Sequence, residues 1–243
     1  MAWSFPPPTY GLTVASREER FPIRRIFCIG RNYAEHAQEM GAVPERTHPF
    51  FFQKSPEAVL AQPHAGAVLS LCYPSATQDL QHEAELVVAL GQGGREIAPE
   101  QAVQHIFGYA IGLDMTRRDL QAALKERRLP WDMAKNFEDA APIGLLHPIA
   151  HTGELCQGEI TLTVNGVCRQ RGRLEEMIWS VNEIIAELSR LVTLLPGDLL
   201  FTGTPAGVGP LRCPDHVCVT LEPLGTLEVT VQDGQGHYAR RFG

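Results

Sequence analysis

The sequence has no run of Lys or Arg, and its formal net charge is -7 over 243 residues. It lacks the positive stripe that nucleic acid or an anionic membrane surface would need, so neither is expected as a partner. No apolar run approaches the about 18 residues that span a bilayer as a helix. The opening stretch MAWSFPPPTY has no basic start and no apolar h-region, so no secretory signal is read there. The cysteines, at 28, 72, 156, 168, 213 and 218, form no CxxC pair, and no His cluster completes a zinc set. Their spread fits reduced, mostly packed thiols, and a cytoplasmic setting is expected. A GxSxG nucleophile elbow is missing. The Gly-rich stretch GTPAGVGP (203–210) lacks the GK[ST] ending of a phosphate loop. Its glycines are expected to let backbone approach a ligand or another strand.

What is present suits a globular chain. Hydrophobic residues make up 44% and charged residues 20%, enough for a sizeable core. The apolar run Ile26–Ile29 reads as a buried strand. In the segment RNYAEHAQEMG that follows, Asn32 is placed as N-cap and Gly41 as the C′ residue of a helix. Gly41, Pro44 and Pro49 mark a loop. PFFFQKSPEAVL, HEAELVVALG and IFGYAIGLDMT read as strands, the first with a turn at Ser55-Pro56. Pro99 to His105 reads as a helical turn, and Thr116 to Arg128 as a helix stopped before Pro130. ITLTVNGVCRQ is a β-hairpin turning at Asn165-Gly166. MIWSVNEIIAELSRLV is an amphipathic helix with Ile178, Val181, Ile185, Leu188 and Val192 on one face. LLPGDLLFTGTPAGVGP is a strand and then a loop, and LGTLEVTVQDGQGHYARRF is a further hairpin pattern. Strands outnumber helices without a βαβ rhythm, and no repeat or long linker divides the chain. The expectation is one β-rich α+β domain, 23–243, behind a short N-terminal arm or small element, 1–22.

The strongest chemical signal lies in HEAELVVALG. Beyond Glu85 this strand is wholly apolar, so both of its faces are expected to be buried. Glu83 and Glu85 are two apart and project from one face. Two carboxylates about 5 Å apart repel by about 3 kcal/mol at an effective dielectric near 20, and desolvation adds several kcal/mol per ion. A hard divalent cation would offset both. An edge strand with both acids in water fits the pattern equally well when it is taken alone. Asp114, at the end of a second apolar strand, shifts the balance toward an open carboxylate site. His36 and Glu39, at i and i+3, share a helical face. They are either a general base with its orienting carboxylate or a surface ion pair, and spacing alone favours the ion pair. Lys135, between Trp131 and Phe137, is either a buried cation facing substrate charge or a snorkelling one. Lys54, after three phenylalanines, invites the same two readings. Arg118 and Gln121 either turn toward the acids or form a solvated face.

Taken together and in this order, GRNYAEHAQEMG (30–41), FFFQKSPEAV (50–59), HEAELVVALG (82–91), GYAIGLDMTRRDLQ (108–121), PWDMAKNFEDAAP (130–142), VNGVCRQ (164–170) and LLPGDLLFTGTPAGVGP (194–210) resemble the fumarylacetoacetate hydrolase family. The likeness runs from about Phe21 to the C-terminus. It implies a mixed β-sandwich roll of that family's catalytic-domain type, with few helices, and a homodimer. It implies Mg²⁺ or Mn²⁺ on Glu83, Glu85 and Asp114. It also implies a water-activating His36–Glu39 pair on a lid helix, and Lys135 as the active-site lysine. Arg118, Gln121 and Thr204 match substrate-contacting positions, and Lys54 matches a lysine near the pocket. The activity implied is metal-dependent hydrolysis of the C–C bond of an acylpyruvate, a small 2-oxo acid, with fumarylpyruvate favoured. The same metal site could instead serve oxaloacetate decarboxylation, keto–enol tautomerisation or hydroxymuconate isomerisation. A non-catalytic metal- or ligand-binding relative is the alternative of another class. The chain departs from the family pattern at Ala140, at Ser55-Pro56 and in LRCPDHVCVTLEPLG. The first two departures bear on pocket shape, and none touches the three acids.

Overall fold

The computed structural model describes residues 4–41, 46 and 48–234. A mixed sheet forms its centre, with strands in the order Phe51–Lys54, Arg25–Ile29, Asp198–Phe201, Ala84–Leu90, Ile106–Leu113, Ala141–Ile143 and Val59–Ala61. Ala84–Leu90 lies in the middle and runs antiparallel to both neighbours, Asp198–Phe201 and Ile106–Leu113. Every residue of it is buried, as its unbroken apolar run requires when both faces of a strand are covered. Close backbone approach is possible on this sheet because Gly112 faces Val87 and Phe201, where a Cβ would come within 2.5 Å of the Val87 methyl.

A second sheet, in the order Val167–Arg173, Glu159–Val164, His216–Leu221, Gly225–Gln232 and Val68–Cys72, packs against the first. Its strands alternate buried and more exposed residues, the pattern of a sheet with one face on the core and one toward water. Leu162, Val219 and Val229 join Leu86, Val88 and Ile111 in a single core. Asn165 (φ 51°) and Gly166 (φ 78°) make the expected type I′ turn. A small third sheet, Thr116–Arg117, Leu80–His82 and Gly209–Pro210, closes one end.

Within 1–22, expected as an arm or small element, Gly11–Thr13 and Arg20–Pro22 form a hairpin that buries Leu12 and Phe21. Several expectations need correction. Asn32 is not the cap of helix Ala34–Glu39; Tyr33 holds that place without a side-chain bond. The Asn32 carboxamide is buried and joins two distant loops, donating to Trp179 O (2.9 Å) and Thr202 O (2.8 Å) and accepting from Trp179 N (2.8 Å). The amphipathic helix begins at Val181, so Ile178 lies outside it. Ser180 and Glu183 form a reciprocal capping box at its start, a cue more local than the apolar stripe. Only Cys28 and Cys72 are buried, while Cys156, Cys168 and Cys213 are exposed, so the thiols are not mostly packed. Gly225–Gln232 pairs backward with His216–Leu221. The second half of the hairpin read into the tail, and the loop position Pro44, lie outside the described residues. Among the described residues no helix is long and apolar enough to cross a membrane.

Candidate active site

Glu83 occupies the break between Leu80–His82 and Ala84–Leu90, and Asp114 follows Ile106–Leu113 directly. A backbone bond from Asp114 N to Glu83 O (2.9 Å) ties the two strand ends together. One oxygen from each of Glu83, Glu85 and Asp114 lies within 4.8 Å of the others. Their residues are 5%, 2% and 1% exposed. The edge-strand alternative, with the acids in water, is therefore excluded.

Three cations answer these three acids, unevenly. Lys135 Nζ donates to Glu83 Oε2 and Asp114 Oδ2, each at 2.7 Å. Arg118 donates to the other oxygen of Glu83 and, at 2.7 Å, to Gln121 Oε1. Lys54 Nζ lies 2.8 Å from Asp114 Oδ1. Lys54 donates to the carbonyls of Met115 and Lys135. Asp114 Oδ1 is buried and has no partner beyond this ion-pair contact. Glu85 has no ion-pair partner among the described residues; it accepts one bond, from Gly203 N at 2.6 Å. Burial, together with the charges of Asp114 and Glu83, pushes the Glu85 carboxyl well above its ordinary pKa. Burial also works against ionised Glu83, but Lys135 and Arg118 outweigh it and hold that group well below the usual range. For Lys135, burial is overcome by Asp114 and Glu83, and its pKa is raised.

The residues present fit a hard divalent cation. They offer a buried Asp114 oxygen met only by the Lys54 ion pair and a Glu85 carboxyl that has no cation partner among the described residues. Their oxygen-only donor set suits Mg²⁺ or Mn²⁺. Lys135 and Lys54 are buried cations rather than snorkelling ones, and Arg118 and Gln121 turn inward.

The loop 202–208 supplies the backbone of the site. Gly203 (φ 92°) brings its N–H to Glu85; a Cβ there would meet the Asn32 Cβ at 2.6 Å. Gly207 (φ 96°) passes so close to Arg169 O that no side chain fits, and its N–H points at both oxygens of Glu39 (3.2 Å each). Glu39 Oε2 lies 3.2 Å from His36 Nδ1. His36 is buried and lines the same pocket as the three acids, unlike a surface pair. Thr204 lines the pocket too, with its hydroxyl donating to Ala84 O (2.9 Å) and accepting from Gln170 Nε2 (2.8 Å).

Sequence reading missed part of the wall. Arg31, Phe50, Phe52, Lys125 and Trp131 complete the pocket. Phe52 and Trp131 rings are 5.3 Å apart, and the Lys135 ammonium lies 5.2 Å over Phe52. Gln170 was also missed: it is buried in a mostly exposed strand and accepts from Ala84 N (3.1 Å), next to both glutamates. Its place at the end of VNGVCRQ, one of the stretches that carry the family resemblance, is the signal that could have found it.

Residues 25–232 match the fumarylacetoacetate (FAA) hydrolase C-terminal domain. The chain belongs to the fumarylacetoacetate hydrolase family. It is 40% identical over 182 residues to a fumarylpyruvate hydrolase of Ralstonia sp, covering 75% of this chain and 92% of that protein. It is 39% identical over 206 residues to the oxaloacetate tautomerase YcgM of Escherichia coli, covering 83% and 90%. The crystal structure of a fumarylpyruvate hydrolase from Pseudomonas aeruginosa, in complex with Mn²⁺ and pyruvate, superposes with a TM-score of 0.93 at 46% identity. The match covers 96% of this chain and all of that one. The sheet-rich architecture with few helices is that family's fold.

Proposed function

We propose that the protein is a divalent-metal-dependent hydrolase that splits the C–C bond of acylpyruvates, with fumarylpyruvate the favoured substrate. The observation that carries the reading is the oriented base: buried His36, fixed by Glu39, shares a pocket with Glu83, Glu85 and Asp114. The whole-length likeness to the Pseudomonas aeruginosa fumarylpyruvate hydrolase supports the choice of substrate.

A Mg²⁺ or Mn²⁺ ion held by the three acids would supply Lewis acidity toward the 2-oxo acid end of the substrate. His36 Nδ1–H donates to Glu39, which leaves Nε2 as the proton acceptor. His36 Nε2 takes a proton from water, and the water oxygen bonds to the distal acyl carbonyl carbon. The C–C bond between that carbon and the pyruvyl CH₂ then breaks, and its electron pair goes to the pyruvate enolate. Lys135 Nζ, already between two carboxylates, is placed to stabilise this charge. The proton returns from His36 to the CH₂ carbon, giving pyruvate and a carboxylic acid.

Pyruvate release from fumarylpyruvate, acetylpyruvate and oxaloacetate, each with Mg²⁺, with Mn²⁺ and with EDTA, tests the reading. EDTA-sensitive release from an acylpyruvate, fastest from fumarylpyruvate, with little from oxaloacetate, is expected. Release from oxaloacetate alone would assign the site to decarboxylation and withdraw the water step. Oxaloacetate keto–enol exchange without release would place the chain with its tautomerase relatives.

A further inference from the structure

The pocket has a buried end and an exposed end. At the buried end are the acids, His36 and Lys135. At the exposed end are Arg31 and Lys125, with Phe50, Phe52 and Trp131 between. The cations at the two ends differ in their state. Lys135, Lys54 and Arg118 are each committed to a carboxylate of the site. Arg31 and Lys125 have no carboxylate partner among the described residues. Each lies only over an aromatic ring: the Arg31 guanidinium is 5.6 Å from the Phe50 centroid, and the Lys125 ammonium is 5.2 Å from the Trp131 centroid.

Arg31 is held there at a conformational cost, with φ 57° on a residue that is not glycine. Lys125 stands on the helix Arg118–Glu126, which carries Arg118 and Gln121 into the same pocket. Partial burial of its ammonium, and then the like charges of Arg118, Arg31 and Lys135, lower the Lys125 pKa to about 8. Like charges gathered at one mouth repel, and an anion placed among them removes the repulsion. The rings between the two ends offer flat apolar walls, which suit a planar, unsaturated chain.

We propose that Arg31 and Lys125 form a second anion subsite, which takes the distal carboxylate of a dicarboxylic 2-oxo acid while its 2-oxo acid head lies at the three buried acids. This rests on the reading that the pocket takes 2-oxo acids, and it narrows the substrate class. The favoured acyl arm is flat and ends in a carboxylate, so that acylpyruvates with a plain alkyl arm are poor substrates. Arg31 and Lys125 select substrate and take no part in bond breaking.

The test is calorimetric binding to the full chain loaded with Mn²⁺. Two straight-chain seven-carbon probes, 2-oxoheptanedioate and 2-oxoheptanoate, share the head and differ only in the terminal carboxylate. A charge-assisted contact gives the diacid an advantage of about tenfold or more in the wild type. That ratio is expected to fall toward one in Lys125→Met and further in the Lys125→Met/Arg31→Gln double variant, and to persist in Lys125→Arg. Equal affinities in the wild type, or an undiminished ratio in the double variant, overturns the subsite. So does failure of both probes to bind. Hydrolysis is judged separately: absent pyruvate release from fumarylpyruvate removes the hydrolase reading whatever the ratio, and the ratio can fail in an enzyme that releases pyruvate.

Discussion

Arg118–Glu83 and Arg171–Glu159 are the same pair of side chains in two regions of one molecule. Arg118 meets Glu83 where two buried strands end, with Lys135 on the other oxygen of the carboxylate. Arg171 meets Glu159 at 3.2 Å on the outer face of the second sheet, with both side chains largely in water. In water such a pair contributes little, because solvent already satisfies both ions. In the buried setting each ion depends on its partners, and removing one leaves another uncompensated. The carboxylates of this protein therefore acquire chemistry from their place in the fold.

The largest break in that contrast is at the acid with no cation of its own. Glu85→Gln keeps the shape and removes the charge. Loss of a partner one shell out from a metal already costs about 10–100-fold in affinity, so loss of this donor is expected to cost at least about a hundredfold in Mn²⁺ affinity by titration calorimetry. Pyruvate release should fall with it. Unchanged Mn²⁺ affinity would mean that the three acids do not hold the ion.

Next comes Lys135→Met, which strands Glu83 and Asp114 in the core with one cation fewer. Breaking a buried pair by removing one partner costs about 3–5 kcal/mol, read from urea unfolding without metal. Added Mn²⁺ should restore part of the loss, because a ligand that binds only the native state stabilises it. If metal restores nothing, the lysine and the ion do not share the same carboxylates.

How much of this was legible depended on whether the signal was local. Glu83, Glu85 and Asp114 stood out because a charge in an unbroken apolar strand has no cheap explanation, and the buried strands were readable for the same reason. His36 with Glu39 was not decidable from spacing, since i, i+3 is common to surface pairs and catalytic ones. What separates them is that Gly207, over 160 positions along the chain, donates to Glu39. Asn32 misled because Asn before a helix is ordinarily a cap. Its carboxamide instead answers backbone groups of two loops that are remote in sequence. Lys125 and Arg31 gave no signal, because an exposed cation on a helix or in a loop is the commonest of surface residues. The glycines at 203 and 207 were read correctly as points of close approach, though which groups they approach could not be read.

A smaller effect is expected at Asn32. Asn32→Ala leaves Trp179 O, Thr202 O and Trp179 N without their partner. An unmet buried polar group costs about 1–3 kcal/mol, so a stability loss of that order is expected from chemical unfolding. Thr202 adjoins Gly203, whose N–H serves Glu85, so Mn²⁺ affinity should fall as well. A stability loss with no change in metal binding would separate the loop anchor from the site.

The smallest effect belongs to the exposed half of the comparison. Arg171 is on Val167–Arg173 and Glu159 on the neighbouring strand Glu159–Val164, opposite each other within two residues of register. Each is already solvated in the folded chain, so Arg171→Ala exchanges a protein contact for water at little cost. Exposed pairs measured by double-mutant cycles contribute about 0.2–1 kcal/mol. The coupling between Arg171→Ala and Glu159→Ala is expected within that range, and it should shrink as salt screens both charges. Coupling between Arg118→Ala and Glu83→Ala, measured in the same way, should be several times larger and nearly indifferent to salt. Equal couplings at the two places would mean that burial is not what sets the active-site carboxylates apart, and the case for a metal built on their desolvation would lose its physical basis.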